Sequence, residues 1–395
     1  MYKIQINNLY KIFGKHPKKI ISLVKKGLSK DEIHQKTNHT IGINNVNFQV
    51  NSGEFFVVMG LSGSGKSTLI RCLNRLIKPT YGEILIDGKD INKCSDKELL
   101  QIRRKKMAMV FQNFALLPHR DVCSNVAYGL EIQGVDEKTR KSKSYEALEL
   151  VGLKGYENSM PSELSGGMQQ RVGLARALAT NPDILLMDEA FSALDPLIRR
   201  EMQEEILELQ SKMKKTIIFI THDLDEALRL GDRIAIMKDG AIEQIGAPEE
   251  ILTNPATDYV KAFLQDVNRT NIITASSIIK KSEAIVSIKD GPKVAMRLMK
   301  REGIASIYVI DKDRKLKGIV KIEDVVDLIK KGIHYLDNII IKDVPTTSPD
   351  TPISDLLSQA LHSNYPIVVV DKNNTMLGII KKSSIIAGIL GEEEY

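Results

Sequence analysis

In the first 267 residues, strand-like runs are apolar without interruption, among them Phe55–Met59, Met107–Phe111, Ile184–Met187, Ile217–Ile220 and Ile234–Met237. Each has strand length, and a strand apolar on both faces is one covered on both faces, as in a parallel sheet flanked by helices. Stretches with apolar residues at helical spacing separate these runs. The alternation predicts an α/β domain with a mixed, largely parallel sheet over residues 1–267. Asn254-Pro255 opens a helical pattern that runs to Leu264, and the polar Asp266–Asn271 reads as a connector with the boundary near 268. Beyond it the pattern changes. Sliding the chain by 60 residues lays Val309–Lys321 over Val369–Lys381 with six identities in thirteen positions. Each copy shows an apolar strand (Ile307–Ile310; Ile367–Val370), a polar turn, a short strand after a glycine and then a helix. Residues 269–333 and 334–395 are therefore two copies of one βαββα-like, α+β unit.

A second irregularity lies near the start. Residues Gly14–Gly42 carry seven lysines against Asp31 and Glu32 only, a balance of +5 in a chain whose net charge is +6. Within it, 18–35 predicts a basic helix, a turn at Gly27 and a second helix capped by Ser29, with Glu32 completing a capping box. The segment interrupts the first strands of the domain. With 395 residues and 43% hydrophobic content, the chain has material for several cores, which excludes disordered and collagen-like classes. No apolar run approaches membrane-spanning length, and the first residues lack the apolar core of a signal peptide. Three cysteines, Cys72, Cys94 and Cys123, with no paired spacing offer neither a disulfide framework nor a zinc site and suit a reducing compartment.

The chemistry begins at Gly60-Leu-Ser-Gly-Ser-Gly-Lys-Ser-Thr68, which follows one apolar strand and precedes a helical run from Thr68 to Leu76. That is the setting of a phosphate-binding P-loop. Its glycines let backbone N–H groups turn inward on a phosphate, and the following helix start adds a favourable dipole. Gly60, Ser62, Gly63, Ser64, Gly65, Lys66, Ser67 and Thr68 are the predicted nucleotide contacts. Lys66 is assigned to the β- and γ-phosphates and the Ser67 hydroxyl to Mg²⁺.

A P-loop alone does not choose among kinases, GTPases and motors. The rest of the chain resembles the ATP-binding subunits of ABC transporters. Leu164-Ser-Gly-Gly-Met-Gln169 is similar to their LSGGQ signature, with Met168 where glutamine is usual. Ile184–Glu189 resembles Walker B, Ser192-Ala-Leu-Asp195 the D-loop, His222 the switch histidine and Gln112 the Q-loop glutamine, all in the family's order. The resemblance covers about residues 1–265 and implies a P-loop NTPase fold of the ABC type, with a helical and signature subdomain at about 115–180. It implies ATP and Mg²⁺ as ligands, Asp188, Ser67 and Gln112 around the metal, and Glu189 as the base that polarises the attacking water, held in register by His222. Gln112 would also report nucleotide state to a membrane partner through the loop that continues to His119. Ser165, Gly166, Gly167 and Asp195 would complete the ATP site of a second copy packed head to tail. Phe13 matches the adenine-stacking position, with Tyr10 as the alternative.

A single P-loop without heptads argues against the DNA-repair and ribosome-bound ABC proteins, and no nucleic-acid partner is implied. The 14–42 insertion resembles one carried by ATPases of glycine betaine and proline betaine importers, and the C-terminal duplication is similar to their tandem CBS domains. The resemblance implies the ATP-hydrolysing subunit of an osmoprotectant (quaternary-amine) importer, peripheral on the cytoplasmic face of the membrane. Its partners would be a membrane permease and, indirectly, an extracytoplasmic binding protein. Lys18, Lys19, Lys25, Lys26 and Lys30 are candidates to meet anionic inner-leaflet lipid, a solvated basic face being the alternative. An importer of another amino-acid type, such as methionine, and a CBS-regulated soluble ATPase without a membrane partner remain the rival readings. In nucleotide-binding CBS pairs an Asp follows a Thr by three residues; here Asp324 follows Lys321, and Lys381 and Ser384 replace both in the second copy.

Overall fold

The structure is a computed structural model and describes residues 2–112, 114–264, 273–281 and 284–390. The chain divides into two compact units, Met1–Val267 and Asn268–Tyr395; the connector read at Asp266–Asn271 lies outside the described residues.

The strands of the first unit are β1 (Tyr2–Phe13), β2 (Thr40–Asn51), β3 (Phe55–Met59), β4 (Tyr81–Ile86), β5 (Lys89–Asp90), β6 (Met107–Val110), β7 (Ile184–Asp188), β8 (Thr216–Thr221), β9 (Arg233–Lys238) and β10 (Ala241–Gly246). Its helices are α1 (Ile21–Lys25), α2 (Lys30–Thr37), α3 (Lys66–Leu73), α4 (Asp96–Lys105), α5 (Val122–Ile132), α6 (Glu137–Leu150), α7 (Gly166–Ala179), α8 (Pro196–Met213), α9 (Leu224–Leu230), α10 (Pro248–Thr253) and α11 (Asp258–Phe263). The five apolar runs are β3 and β6–β9. They form a parallel sheet in the order β9-β3-β8-β7-β6, with β10 pairing antiparallel on the β9 edge. All five residues of β3 and of β7 are buried, which is why these strands show no polar alternation.

A second sheet, order β2-β1-β4-β5, is antiparallel and shares the main core with the first: Phe48 on β2 stacks on Phe56 of β3 with ring centroids 4.9 Å apart. Helices α5, α6 and α7 pack on one another as the helical part. The helical pattern that opens at Asn254 becomes a helix only at Asp258, where Thr257 caps it by accepting from Val260 N–H.

The basic segment is a loop of the β1–β2 hairpin, whose last rung pairs Phe13 with Thr40. Pro17–Ile20 forms a 3-10 turn leading into α1, Gly27 turns the chain at φ 85°, and α2 follows. Ser29 Oγ accepts from Glu32 N–H at 3.2 Å while Glu32 accepts from Ser29 N–H at 2.8 Å, so the capping box forms. Ile20, Val24 and Ile33 pack on Tyr10, Ile12 and Ile41 of the hairpin. Full burial of each such side chain stabilises by about 1.5–3 kcal/mol, which holds the segment to the hairpin. His39 ties the two ends together, its ring nitrogens each 2.7 Å from a carbonyl oxygen, that of Lys15 and that of Thr37.

Among the described residues, the first helix of the second unit is α12 (Ala275–Ile278). One copy follows as β11 (Ile285–Ser287), α13 (Pro292–Glu302), β12 (Ser306–Ile310), β13 (Leu316–Lys321) and α14 (Ile322–Lys330). The other is β14 (Thr346–Thr347), α15 (Ile353–His362), β15 (Ile367–Val370), β16 (Met376–Ile380) and α16 (Lys382–Leu390). Each copy pairs its first two strands parallel and its last two antiparallel. The copies meet across a shared apolar cluster around Tyr308, Val368 and Met376, and the Tyr308 hydroxyl donates to Pro366 O at 2.8 Å. Ser384, standing where a nucleotide-binding copy would carry its Asp, is buried.

Candidate functional site

The loop between β3 and α3 turns on three glycines with positive φ, Gly60 (152°), Gly63 (79°) and Gly65 (105°). A Cβ on Gly60 would lie 2.3 Å from Met237 O, and one on Gly65 would lie 2.4 Å from Gly42 O. Only glycine satisfies both the dihedral and the space. Because Gly65 caps α3 without a side chain, the helix starts at Lys66, two residues before the expected Thr68, and its first N–H groups are left for an anion. Ser64 Oγ is buried with no hydrogen-bond partner in the protein. A phosphate oxygen would supply one.

Lys66 is buried, and its ammonium donates to Gly60 O at 2.7 Å and Leu61 O at 3.1 Å. Burial pushes its pKa down against the opposing pull of Glu189 and Asp188. Asp188, at the end of β7, is pushed up by burial, and the Ser67 hydroxyl that donates to it at 3.2 Å works the other way. Hydroxyl and carboxylate together make a hard-oxygen pair suited to Mg²⁺. Among the described residues no group of three acidic, His or Cys side chains could hold a metal; a cation here fits one held partly by substrate phosphates.

Glu189 leaves the strand at φ 46°. That left-handed turn is costly for a residue with a Cβ, and it leaves the carboxylate beside Gln112 and His222. Glu189 Oε2 accepts from Gln112 Nε2 at 3.3 Å and lies 3.4 Å from His222 Nδ1. Gln112 also donates to Ser192 Oγ at 3.2 Å, a contact that motif reading did not foresee. Glu189, His222, Lys66, Ser67 and Thr68 line one cavity of about 620 Å³ with Ser62, Gly63 and Phe13. Phe13 is exposed whereas Tyr10 is buried in the insertion's core; of the two aromatic candidates, only Phe13 presents a ring. Gly42, where a Cβ would meet that ring at 2.7 Å, lets it lie across β2, and the Lys11 ammonium sits 4.9 Å from its centroid.

The signature residues are elsewhere. Ser165 caps α7, its hydroxyl accepting from Met168 N–H, and Gly167 lies where a Cβ would strike Ile198 of α8. Asp195 caps α8. None of Ser165, Gly166, Gly167 or Asp195 lines the P-loop cavity. Gln169, one place after the unusual Met168, donates to Pro161 O and Leu164 O and so braces the signature loop from within.

Two residues escaped the sequence reading. Arg176, on α7, donates to Phe114 O and Ala115 O at 2.9 and 2.6 Å; those two residues both have positive φ, so the signature helix fixes the loop after Gln112. Lys30, one of the five lysines expected to meet lipid, lines the P-loop cavity. No local pattern distinguishes it from the other lysines. A separate apolar groove of about 320 Å³ opens beside that loop, with Leu76, Leu100, Phe111 and Ile132 on its walls.

Comparison with known proteins gives a consistent result. The family pattern described as ABC transporter matches residues 43–192, and that of the CBS domain matches 267–331 and 336–391. The glycine betaine/carnitine transport ATP-binding protein of Listeria monocytogenes is 53% identical over 393 residues, covering 100% of this chain and 99% of that one. The glycine betaine transport ATP-binding protein of Bacillus subtilis is 52% identical, covering 100% and 94%. A solved dimeric bacterial ABC transporter cassette is 34% identical, with a TM-score of 0.53, and spans 62% of this chain and 98% of its own. A P-loop at the end of a buried strand, with an acid and a histidine across the cavity and relatives matched end to end, leaves one assignment: the chain belongs to the ATP-hydrolysing, ATP-binding subunits of ABC transporters, in the branch that carries a C-terminal pair of CBS domains.

Proposed function

We propose that this chain energises the import of a quaternary-amine osmoprotectant of the glycine betaine class, as two copies bound to a membrane permease. The observation that carries the two-copy reading is the separation within one chain: Glu189, His222 and the P-loop share a cavity, while Ser165–Gly167 lie outside it. A signature at the start of a helix, where the dipole places partial positive charge, is complementary to the γ-phosphate in another copy's cavity. In that arrangement Phe13 stacks on adenine and Lys66 holds the β- and γ-phosphates. Glu189 takes a proton from the attacking water, and His222 and Gln112 keep the carboxylate aimed. Mg²⁺, when bound at Ser67 and Asp188, neutralises phosphate charge.

No described helix is long and apolar enough to cross a membrane, so the lipid-embedded half of the importer is a partner. The groove walled by Leu76, Leu100, Phe111 and Ile132, next to the loop that Gln112 begins, is our candidate for the permease contact on the cytoplasmic face. The end-to-end likeness to glycine betaine ATP-binding proteins, CBS pair included, supports the substrate class. Lys18, Lys19, Lys25 and Lys26 are all exposed and remain available to anionic inner-leaflet lipid, whose attraction weakens as salt shortens the Debye length from about 10 Å at 0.1 M to about 3 Å at 1 M. The CBS pair then sets the activation threshold.

The test is reconstitution. The chain, co-purified with its permease and placed in anionic-lipid vesicles with internal Mg-ATP, should drive uptake of labelled glycine betaine and not of methionine. Uptake of methionine alone would move the chain to the rival importer class. ATP hydrolysis with no membrane protein ever co-purifying would favour a soluble CBS-regulated ATPase.

A further inference from the structure

Seven lysines crowd the segment between β1 and β2. Six of them, Lys15, Lys18, Lys19, Lys25, Lys26 and Lys36, are exposed; Lys30 is partly buried. It opens α2, and its backbone is held by the Ser29–Glu32 capping box and by Ile33, which is fully buried against the hairpin three residues on. Its ammonium points at the P-loop, 3.3 Å from Gly63 O. That distance is long for an N–H···O bond, and an ammonium has three donors, so most of its hydrogen-bonding capacity is uncommitted. Gly63 leaves the space beside it open, with nothing within 4 Å of where a Cβ would stand. The cavity that Lys30 borders is the one that Phe13, Lys66 and Ser67 also border.

We infer that Lys30 is a nucleotide-site residue supplied by the insertion, a second cation that binds the phosphate chain at the P-loop rim while Lys66 binds it from within. The inference rests on the reading of this cavity as the ATP site. Its physical basis is charge placement: an ammonium held by a capped, anchored helix beside a loop built for phosphate has a triphosphate as its natural counter-ion. The same walls give it a wider consequence. Phe13, Thr40, Ile41 and Gly42 line the cavity, and Ile41 belongs to the apolar cluster that holds the insertion down. A shift of the insertion therefore moves the cation, the stacking ring and one wall of the site together. Whatever the exposed lysines of the same segment bind is then felt as a change in ATP affinity.

The test measures binding to the full chain. A fluorescent ATP analogue is titrated with Mg²⁺ and displaced by ATP, ADP or adenosine, for the parent and for Lys30→Gln, Lys30→Arg and Lys26→Gln. Lys30→Gln should weaken ATP about fivefold, ADP less and adenosine not at all, and should flatten the dependence of ATP affinity on salt. Lys30→Arg should stay close to the parent, and Lys26→Gln, which removes an equal charge from the same segment away from the cavity, should match it. Unchanged ATP affinity in Lys30→Gln overturns the inference. So does an equal loss for adenosine, which would mean a displaced hairpin rather than a lost charge contact, or an equal loss in Lys26→Gln, which would mean a general field. A parent that binds neither ATP nor adenosine would instead overturn the ATP-site reading itself, and this inference with it.

Discussion

Replacing Glu189 by Gln isolates one proton transfer. The carboxamide has the shape of the carboxylate, and its oxygen can still accept from Gln112 Nε2, 3.3 Å away in the parent, and approach His222 Nδ1 as Glu189 does at 3.4 Å. The backbone at φ 46° makes the same demand on either side chain, since both are unbranched at Cβ. Folding and ATP binding should therefore be unaffected. What disappears is the capacity to take a proton from water, a step for which a positioned base contributes about 10²–10⁴ in rate, or roughly 3–5 kcal/mol of barrier. Phosphate release by the full chain with its permease should fall by at least about a hundredfold. With ATP retained between two copies, a dimer should persist on size-exclusion chromatography. Turnover within about threefold of the parent would refute the assignment of Glu189 as base and move the role to an arrangement centred on His222.

Ser165→Arg puts a bulky cation at the start of α7, outside the chain's own cavity; hydrolysis should be abolished with ATP affinity of the isolated chain retained, and a collapse of that affinity would place the signature in its own chain's site. Gly65→Ala, forced against Gly42 O at φ 105°, should eliminate measurable nucleotide binding by equilibrium titration. Glu98 is held at a pKa of about 2, below its ordinary 4.5, by Lys89 and by the Ser95 cap. A depressed carboxylate adds stability above the unfolded value and loses it as pH falls through the folded one, so Glu98→Gln should flatten the decline of stability between pH 4.5 and 2 in denaturant titrations. Burial lifts the Cys72 thiol to about 12; at pH 8 alkylation should spare it in the native protein and reach it only after unfolding.

The parallel strands were legible because burial on both faces writes itself as an unbroken apolar run. Strands β1 and β2 were harder to read. Their pairing shifts register at several points, and Asn8 and Asn45 adopt positive φ, so side chains change face partway along and the alternation that marks an antiparallel strand is lost. The capping box at Ser29 was readable since its partners are three residues apart. The cavity residues that motifs name were legible for another reason: Phe13, Glu189 and His222 lie at or just past the ends of β1, β7 and β8, and the P-loop residues form one contiguous motif that runs from the end of β3 into the start of α3. Arg176 and Lys30 were not readable. Arg176 reaches carbonyls 61 and 62 residues away, and Lys30 reaches one 33 residues away. Such contacts depend on the direction of a long side chain in the folded state, which leaves no periodic trace.

The rung between Phe13 and Thr40 bears on how such a chain can change over generations. Because departure and return face each other, a stretch of any length can be gained or lost at that point without displacing a strand, and doubling a loop's length costs only about 0.6 kcal/mol in closure entropy. The constraint is on what lies beneath. Ile12 and Ile41 are buried by Ile20, Val24 and Ile33, so a lineage or an engineer that trims residues 14–39 to a two-residue hairpin turn must recolour that face of the hairpin with polar side chains in the same step. The segment is thus a detachable module with a price written on the sheet under it.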